Sequence, residues 1–414
     1  MSADSQKGQI ETLTTKAESR HLWMYAAFFP PSTAAGAFRP YSFAKFAPRN
    51  GWRTTVLTID PNTTGIGQSP LPPAEDCQVI QKQPVHSRRL WRLEHAIDGG
   101  FSQVRAFLAA GADKRVERPD AILATGPSFA SFPAAVASAF RHRVPLILDY
   151  RDEWTECPFD FVTAGRYGRQ IEKFCLSRAD RVLFTTRSMR DHALTVFGNQ
   201  LAQKSLVLPN GVDISPTESA APGARDESNI RVAFIGNLAA HTSPDGFLEK
   251  LAATASAQDE RMKRLSVSFI GPKDPAIARK LADFPIPSLV NDVAPVPKSE
   301  VPAILAAADV LILFADARLE RYIPSKLFDY LAARRPIAIW GSDGEAGGIV
   351  RRLNVGNVVN SIDELLHLVD RGYHPDEEKL AAFLKEHRRD NIADKLFGML
   401  DSLTANSGRA ADPK

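Results

Sequence analysis

The chain of 414 residues has only three cysteines, Cys77, Cys157 and Cys175, an odd number at spacings that match neither a CxxC pair nor a zinc-ligand set. That excludes a disulfide scaffold and a cysteine-held metal, and reduced thiols are the expected state. No stretch approaches the ~18 consecutive apolar residues of a membrane span. Residues 1–19 lack the basic start and apolar run of a secretory leader and read as a disordered polar segment. A cytoplasmic protein is expected. No cluster of Asp, Glu and His resembles a set that holds a nucleotide-bound divalent ion, so neither a metal nor a cofactor is expected. The GxGxxG dinucleotide fingerprint is missing too, and a net charge of only +3 gives no ground for a nucleic-acid partner.

What the chain does have is charge in the wrong proportions between its halves. Residues 20–212 hold 24 Lys and Arg against 16 Asp and Glu, net +8, while residues 213–414 hold 25 against 29, net −4. The first half is the one that would meet an anion. Short apolar runs alternate with longer helical stretches throughout, the pattern of parallel sheets covered by helices on both faces. Strands are predicted at 22–28, 53–59, 121–126, 145–150, 181–186 and 205–209. After a turn-rich stretch at 213–229 they resume at 231–236, 265–271, 288–293, 308–314, 336–341 and 354–359. This predicts an α/β protein of two Rossmann-like, doubly wound domains, 20–212 and 230–374, facing each other across a cleft, with 213–229 as linker. A helical stretch at 375–404 has no strand after it and is expected to pack back on the first domain, followed by a disordered tail at 405–414.

Three stretches carry candidate chemistry. In "FFPPSTAAGAFRP" (28–40) a strand runs into small residues ending at Gly36, which suits either a phosphate cradle or a tight turn. Thr125 and Gly126 end one strand, and Arg151, Asp152, Glu153 and Trp154 follow the next, so both groups are placed at the crevice. Charged groups beside an indole suit a sugar, and equally suit a surface ion pair next to a core Trp154. In "RYIPSKLFDYLAARRPI" (321–337) Lys326 stands in the first turn of a helix, where the backbone dipole repels a cation. Lys326, Asp329, Tyr330 and Ala333 share a side opposite Leu327, Phe328 and Leu331. A bound diphosphate would settle this order, with Asp329 accepting hydrogen bonds from a ribose; the alternative is a surface pair of ~0.2 to 0.5 kcal/mol.

These stretches, with "VLPNGVD" (207–213) and "VAFIGNL" (232–238), resemble in order and spacing the retaining GT-B glycosyltransferases of family 4, bacterial enzymes of surface-polysaccharide assembly, over about residues 22 to 400. The resemblance implies a C-terminal domain that holds a nucleotide-diphosphate sugar and an N-terminal domain that holds a glycan or lipid-linked acceptor. It implies a metal-independent hexosyl transfer, with Lys326, Arg151 and Asp152 as catalytic residues. Gly236, Asn237, Arg321, Lys326 and Asp329 would bind the donor, and Gly36, Thr125, Gly126 and Trp154 the acceptor. Arg321 stands where relatives have the first glutamate of an E-x7-E motif, and Asp329 shortens the second. A sugar-nucleotide epimerase and a non-catalytic nucleotide- or partner-binding GT-B subunit are the alternatives. Finally, residues 86–118 interleave Arg88, Arg89, Arg92 and Arg105 with Leu90, Trp91, Leu93, Phe101, Val104, Phe107 and Leu108. Such a stretch suits peripheral binding to the inner face of an anionic membrane, or a core helix with solvated arginines.

Overall fold

The computed structural model describes residues 19–32, 34–59, 71–72, 74–87, 91–212, 228–255, 260–297 and 299–410. The expected disorder at 1–18, nearly all of the linker, the end of the tail, and Arg88, Arg89 and Leu90 lie outside the described residues.

The first domain is a seven-stranded parallel sheet in the order β3-β2-β1-β4-β5-β6-β7. Its strands are β1 (Arg20–Ala26), β2 (Trp52–Ile59), β3 (Cys77–Lys82), β4 (Ala121–Gly126), β5 (Leu146–Tyr150), β6 (Arg181–Phe184) and β7 (Ser205–Val207). Helices α1 (Phe38–Phe46), α2 (Trp91–Glu94), α3 (Gly100–Gly111), α4 (Ser131–His142), α5 (Gly168–Arg178) and α6 (Arg187–Phe197) connect them. Side chains alternate between the faces of the sheet. Trp23 and Tyr25 join the core under α3 to α6, while Leu22 and Met24 join the core under α1. Both faces are covered, so the central strands read as unbroken apolar runs. Strand β3 was not expected from the sequence. It is a polar edge strand in which only Ile80 is buried, so no period-2 pattern marks it.

The second domain is a six-stranded parallel sheet, β10-β9-β8-β11-β12-β13, from β8 (Ile230–Ile235), β9 (Leu265–Ile270), β10 (Val290–Val293), β11 (Val310–Ala315), β12 (Ile337–Gly341) and β13 (Gly356–Val359). Helices α7 (Asp245–Ala255), α8 (Glu260–Arg264), α9 (Pro275–Ala282), α10 (Val301–Ala307), α11 (Lys326–Ala333), α12 (Glu345–Arg352) and α13 (Ile362–Arg371) complete it. The last stretch forms two helices, α14 (Glu377–Glu386) and α15 (Arg389–Ala410). Ile392, Ala393, Leu396, Phe397 and Leu400 of α15 recur at helical spacing and are buried against α1, β1 and Trp52 of the first domain. Trp52 Nε1 donates to Asp401 at 2.8 Å. The helix continues to Ala410, which corrects the disordered tail expected from residue 405.

In each sheet the strand order reverses once beside the first strand, at β1/β4 and at β8/β11, and such switch points open a crevice at the carboxyl ends of the strands. The loops after β1, β4 and β5 therefore face the loops after β8 and β11.

Candidate active site

A cleft of about 1560 Å³ lies between these loops, lined among others by Gly36, Arg39, Arg151, Asp152, Gly236, His241, Lys326 and Asp329. On the C-terminal side, β8 is followed by Gly236 with φ +135°, a conformation L side chains avoid, and a Cβ there would overlap Lys326 Cε. The bare glycine thus lets the Lys326 side chain lie across the strand end, with Nζ 4.6 Å from the centre of the Phe234 ring and 3.4 Å from the Asn237 carbonyl oxygen. Asn237 itself is exposed and meets the lysine through its backbone only. Helix α11 begins at Lys326 after Pro324 and has no side-chain cap from Ser325. Burial pushes the Lys326 ammonium down to about 8. Asp329, one turn on, is exposed and lines the same cleft.

On the N-terminal side, Arg151 is buried and fully engaged. Nε donates to the Gly126 carbonyl at 2.8 Å, Nη2 to Pro127 at 2.6 Å, and Nη1 to Gly36. It ties the loop after β1 to the loop after β4, and a Cβ on Gly36 would strike its guanidinium. Asp152 beside it lines the cleft. Burial pushes its carboxyl up to about 6, against the pull of Arg151 and with the help of Glu153.

Three of the residues predicted for the acceptor lie elsewhere. Trp154 is 1% exposed, stacked 5.2 Å from Phe129 in the core. Its neighbours Phe129 and Phe132 follow the adjacent strand β4, and only the folded sheet brings them to it. The Thr125 hydroxyl is buried and donates to Asp149 at 2.9 Å. Gly126 contributes only the carbonyl that holds Arg151. Arg321, predicted for donor phosphate, instead grips the buried Glu153 of the first domain, with Nε at 3.0 Å and Nη2 at 2.6 Å. The same carboxylate accepts from the Tyr322 hydroxyl at 2.7 Å and lies 2.6 Å from His192 Nδ1. With Thr186 donating to the Arg321 carbonyl at 2.6 Å, this is a polar joint between the domains, beside the cleft rather than in it.

Two lining residues went unnoticed in the sequence. Arg39 grips Asp149 at 2.9 and 2.8 Å and donates to the carbonyls of Pro209 and Leu208 at 2.7 and 2.9 Å. The only signal was a single arginine in an otherwise apolar helix start. His241 lies 5.0 Å from Phe159, ring to ring, and its imidazole is pushed down by burial and then by Arg318 and Lys326.

Residues 41–211 match the glycosyl transferase 4-like domain. Comparison with curated proteins gives no match. Among solved structures, an α,α-trehalose-phosphate synthase (UDP-forming) from Burkholderia vietnamiensis superposes with a TM-score of 0.65 at 12% identity, over 94% of this chain and 99% of that one. HepE from Anabaena, in complex with UDP and glucose, does so with a TM-score of 0.56 at 13% identity, over 95% and 99%. A glycosyltransferase from Rickettsia africae gives 0.53 at 10% identity, over 94% of each. The chain thus has two facing doubly wound domains in the GT-B fold of these structures, and its first domain is similar over residues 41–211 to the glycosyl transferase 4-like domain.

Proposed function

We propose that the protein is a retaining glycosyltransferase that moves a hexosyl unit from a nucleotide-diphosphate sugar to a hydroxyl of a glycan or lipid-linked acceptor, working in the cytoplasm as a peripheral membrane protein. The observation that carries this reading is Lys326: an ammonium desolvated by burial, at the open start of α11, draped over Gly236. Such a cation is unfavourable in the empty protein and becomes favourable when an anion arrives. In glycosyl transfer, negative charge grows on the departing diphosphate, and a fixed cation aimed there stabilises the transition state more than the ground state. On this reading Asp329, which lines the cleft, accepts from the ribose, Asp152 holds the acceptor hydroxyl, and Arg151 acts through the two loops it ties. Complexes of HepE with UDP and with UDP-glucose support a nucleotide-sugar donor on this fold.

The test is to incubate purified protein with a panel of UDP-, GDP- and ADP-hexoses and measure nucleoside diphosphate release with and without alcohol acceptors. Release from none of them, with calorimetric titration showing no nucleotide binding, would remove this reading; epimerised donor without release would favour the epimerase.

Two expected outcomes follow from the residues in the cleft. Among the described residues no group of three His, Cys, Asp or Glu is arranged to hold a metal ion, and Lys326 with the α11 terminus supplies the positive charge that Mg²⁺ supplies elsewhere. Turnover should persist in excess EDTA, and a complete loss restored by Mg²⁺ would contradict the assignment. The pH profile should be bell-shaped in kcat/KM, which reports free-enzyme groups. Asp152 becomes a carboxylate as pH rises through about 6, and Lys326 loses its proton as pH rises through about 8. Lys326→Arg should remove the alkaline limb and leave the acid limb in place, because a guanidinium stays charged throughout.

A further inference from the structure

The stretch expected to lie on a membrane, residues 86–118, is in part core. Val104 and Phe107 are buried and Phe101 packs against them, so α3 turns its main apolar side inward. Trp91, by contrast, is 58% exposed. It sits in α2, between the end of β3 and the start of α3, which is the cleft edge of the sheet. A second segment, the loop from β5 to α5, meets it there. Arg166 N donates to the His95 carbonyl at 2.9 Å and Tyr167 N to the Ala96 carbonyl at 3.1 Å. The buried Asp98 carboxylate fixes both to the cleft loops, accepting from Thr163 N at 3.0 Å and Phe129 N at 2.8 Å. This second segment exposes Phe161 and Tyr167. Phe161 also lines the cleft and stacks on Phe159 at 5.3 Å, so this segment carries an exposed ring to the cleft itself.

Cations surround the rim. Arg92 lies over the Trp91 ring at 5.5 Å and Arg166 over the Tyr167 ring at 5.4 Å. Across 91–105 and 156–173, Arg92, Arg105, Arg166, Arg169 and Lys173 are exposed, Arg169 being paired with the half-buried Glu156, whereas of the other acids Asp98 and Glu172 are buried, Glu94 is half-buried and Asp160 is exposed. Aromatic rings with an apolar body and a polar edge, accompanied by arginines, are what the boundary between headgroups and acyl chains accommodates, and each basic residue near an anionic surface adds about 1 kcal/mol.

We propose that this rim, Trp91, Phe161 and Tyr167 with Arg92 and Arg166, is the surface by which the protein docks on an anionic lipid bilayer, holding the cleft mouth at the depth of a headgroup. The proposal rests on the reading of a lipid-linked acceptor and names the part of the chain that would reach it. Its test uses the full chain and vesicles of phosphatidylcholine with phosphatidylglycerol at low salt. Trp23, Trp52 and Trp154 are at most 1% exposed and Trp340 8%, so Trp91 is the tryptophan that reports contact with solvent or lipid. Wild-type protein should co-sediment, and brominated lipid should quench the fraction of fluorescence that Trp91→Phe lacks. Trp91→Ser/Tyr167→Ser should lower vesicle partitioning by ~10-fold or more, and Arg92→Glu/Arg166→Glu should lower it further, with unchanged affinity for UDP in both. Phe140→Ser, at the far end of α4 where the chain returns to the opposite edge of the sheet, should partition as wild type. No sedimentation at low salt, no quenching, or equal loss from Phe140→Ser would overturn the proposal. Protein that binds UDP but not vesicles would sink the docking surface and leave glycosyl transfer standing. Protein that binds vesicles but no nucleotide would do the reverse.

Discussion

Lys326→Ala is expected to lower kcat/KM about 100- to 1000-fold, the range found when one fixed donor to a developing negative charge is removed, while the protein remains folded. The sign of the stability change separates this from a structural role. Burial lowers the folded-state pKa of Lys326 from 10.5 to about 8. The folded protein therefore holds that proton less well than the unfolded chain, which costs stability below pH 8 and ceases to matter above the unfolded value. Removing the amine removes the cost, so at pH 7 the Tm of the unliganded variant should equal or exceed that of wild type. Asp329→Ala should instead weaken nucleotide affinity by ~10-fold or more, the scale of a hydrogen bond to a charged group, with a smaller effect on turnover at saturation. Calorimetric titration with UDP, steady-state rates and thermal unfolding on the same preparations check all three. A Lys326→Ala protein with normal turnover, or with a depressed Tm that accounts for its inactivity, would remove the lysine from the reaction.

Much of the fold was legible because its signals are local. Twelve of the strands announce themselves as short apolar runs, and the edge strand β3 does not, since its side chains are mostly solvated. That Lys326 and Asp329 border the cleft was legible for a similar reason: a proline, a lysine in the wrong turn of a helix and an apolar opposite face are all written within ten residues. The residues misread are those whose role is set by a partner far along the chain. Arg321 reads the same whether it faces a phosphate or Glu153, which lies 168 positions away. Trp154 reads the same whether it stacks on a sugar or on Phe129, and only the packing of α4 over β5 chooses. Arg39 went unnoticed for the same cause, since its role depends on Asp149, 110 positions on.

The Arg39–Asp149 pair also carries the largest expected effect on stability. Both side chains are buried, 6% and 0% exposed, and the contact is two-pronged. Arg39 reaches past Asp149 to the carbonyls of Leu208 and Pro209, where β7 gives way to the Asn210–Val212 crossing between domains. Arg39→Ala leaves a carboxylate in the core with the Thr125 hydroxyl as its remaining side-chain donor, and breaking a buried pair from one side costs about 3 to 5 kcal/mol. Asp149→Ala should cost less, because the stranded guanidinium keeps its two carbonyl acceptors and borders the cleft, where water reaches it. Replacing both at once, Arg39→Met with Asp149→Leu, should recover most of the loss, since a packed apolar pair has no charge to desolvate. Urea unfolding of the four proteins, followed by circular dichroism, measures the three differences. Should Arg39→Ala lose no more than about 1 kcal/mol, the value of an exposed ion pair, the pair is not the pin that holds the first domain to its crossing.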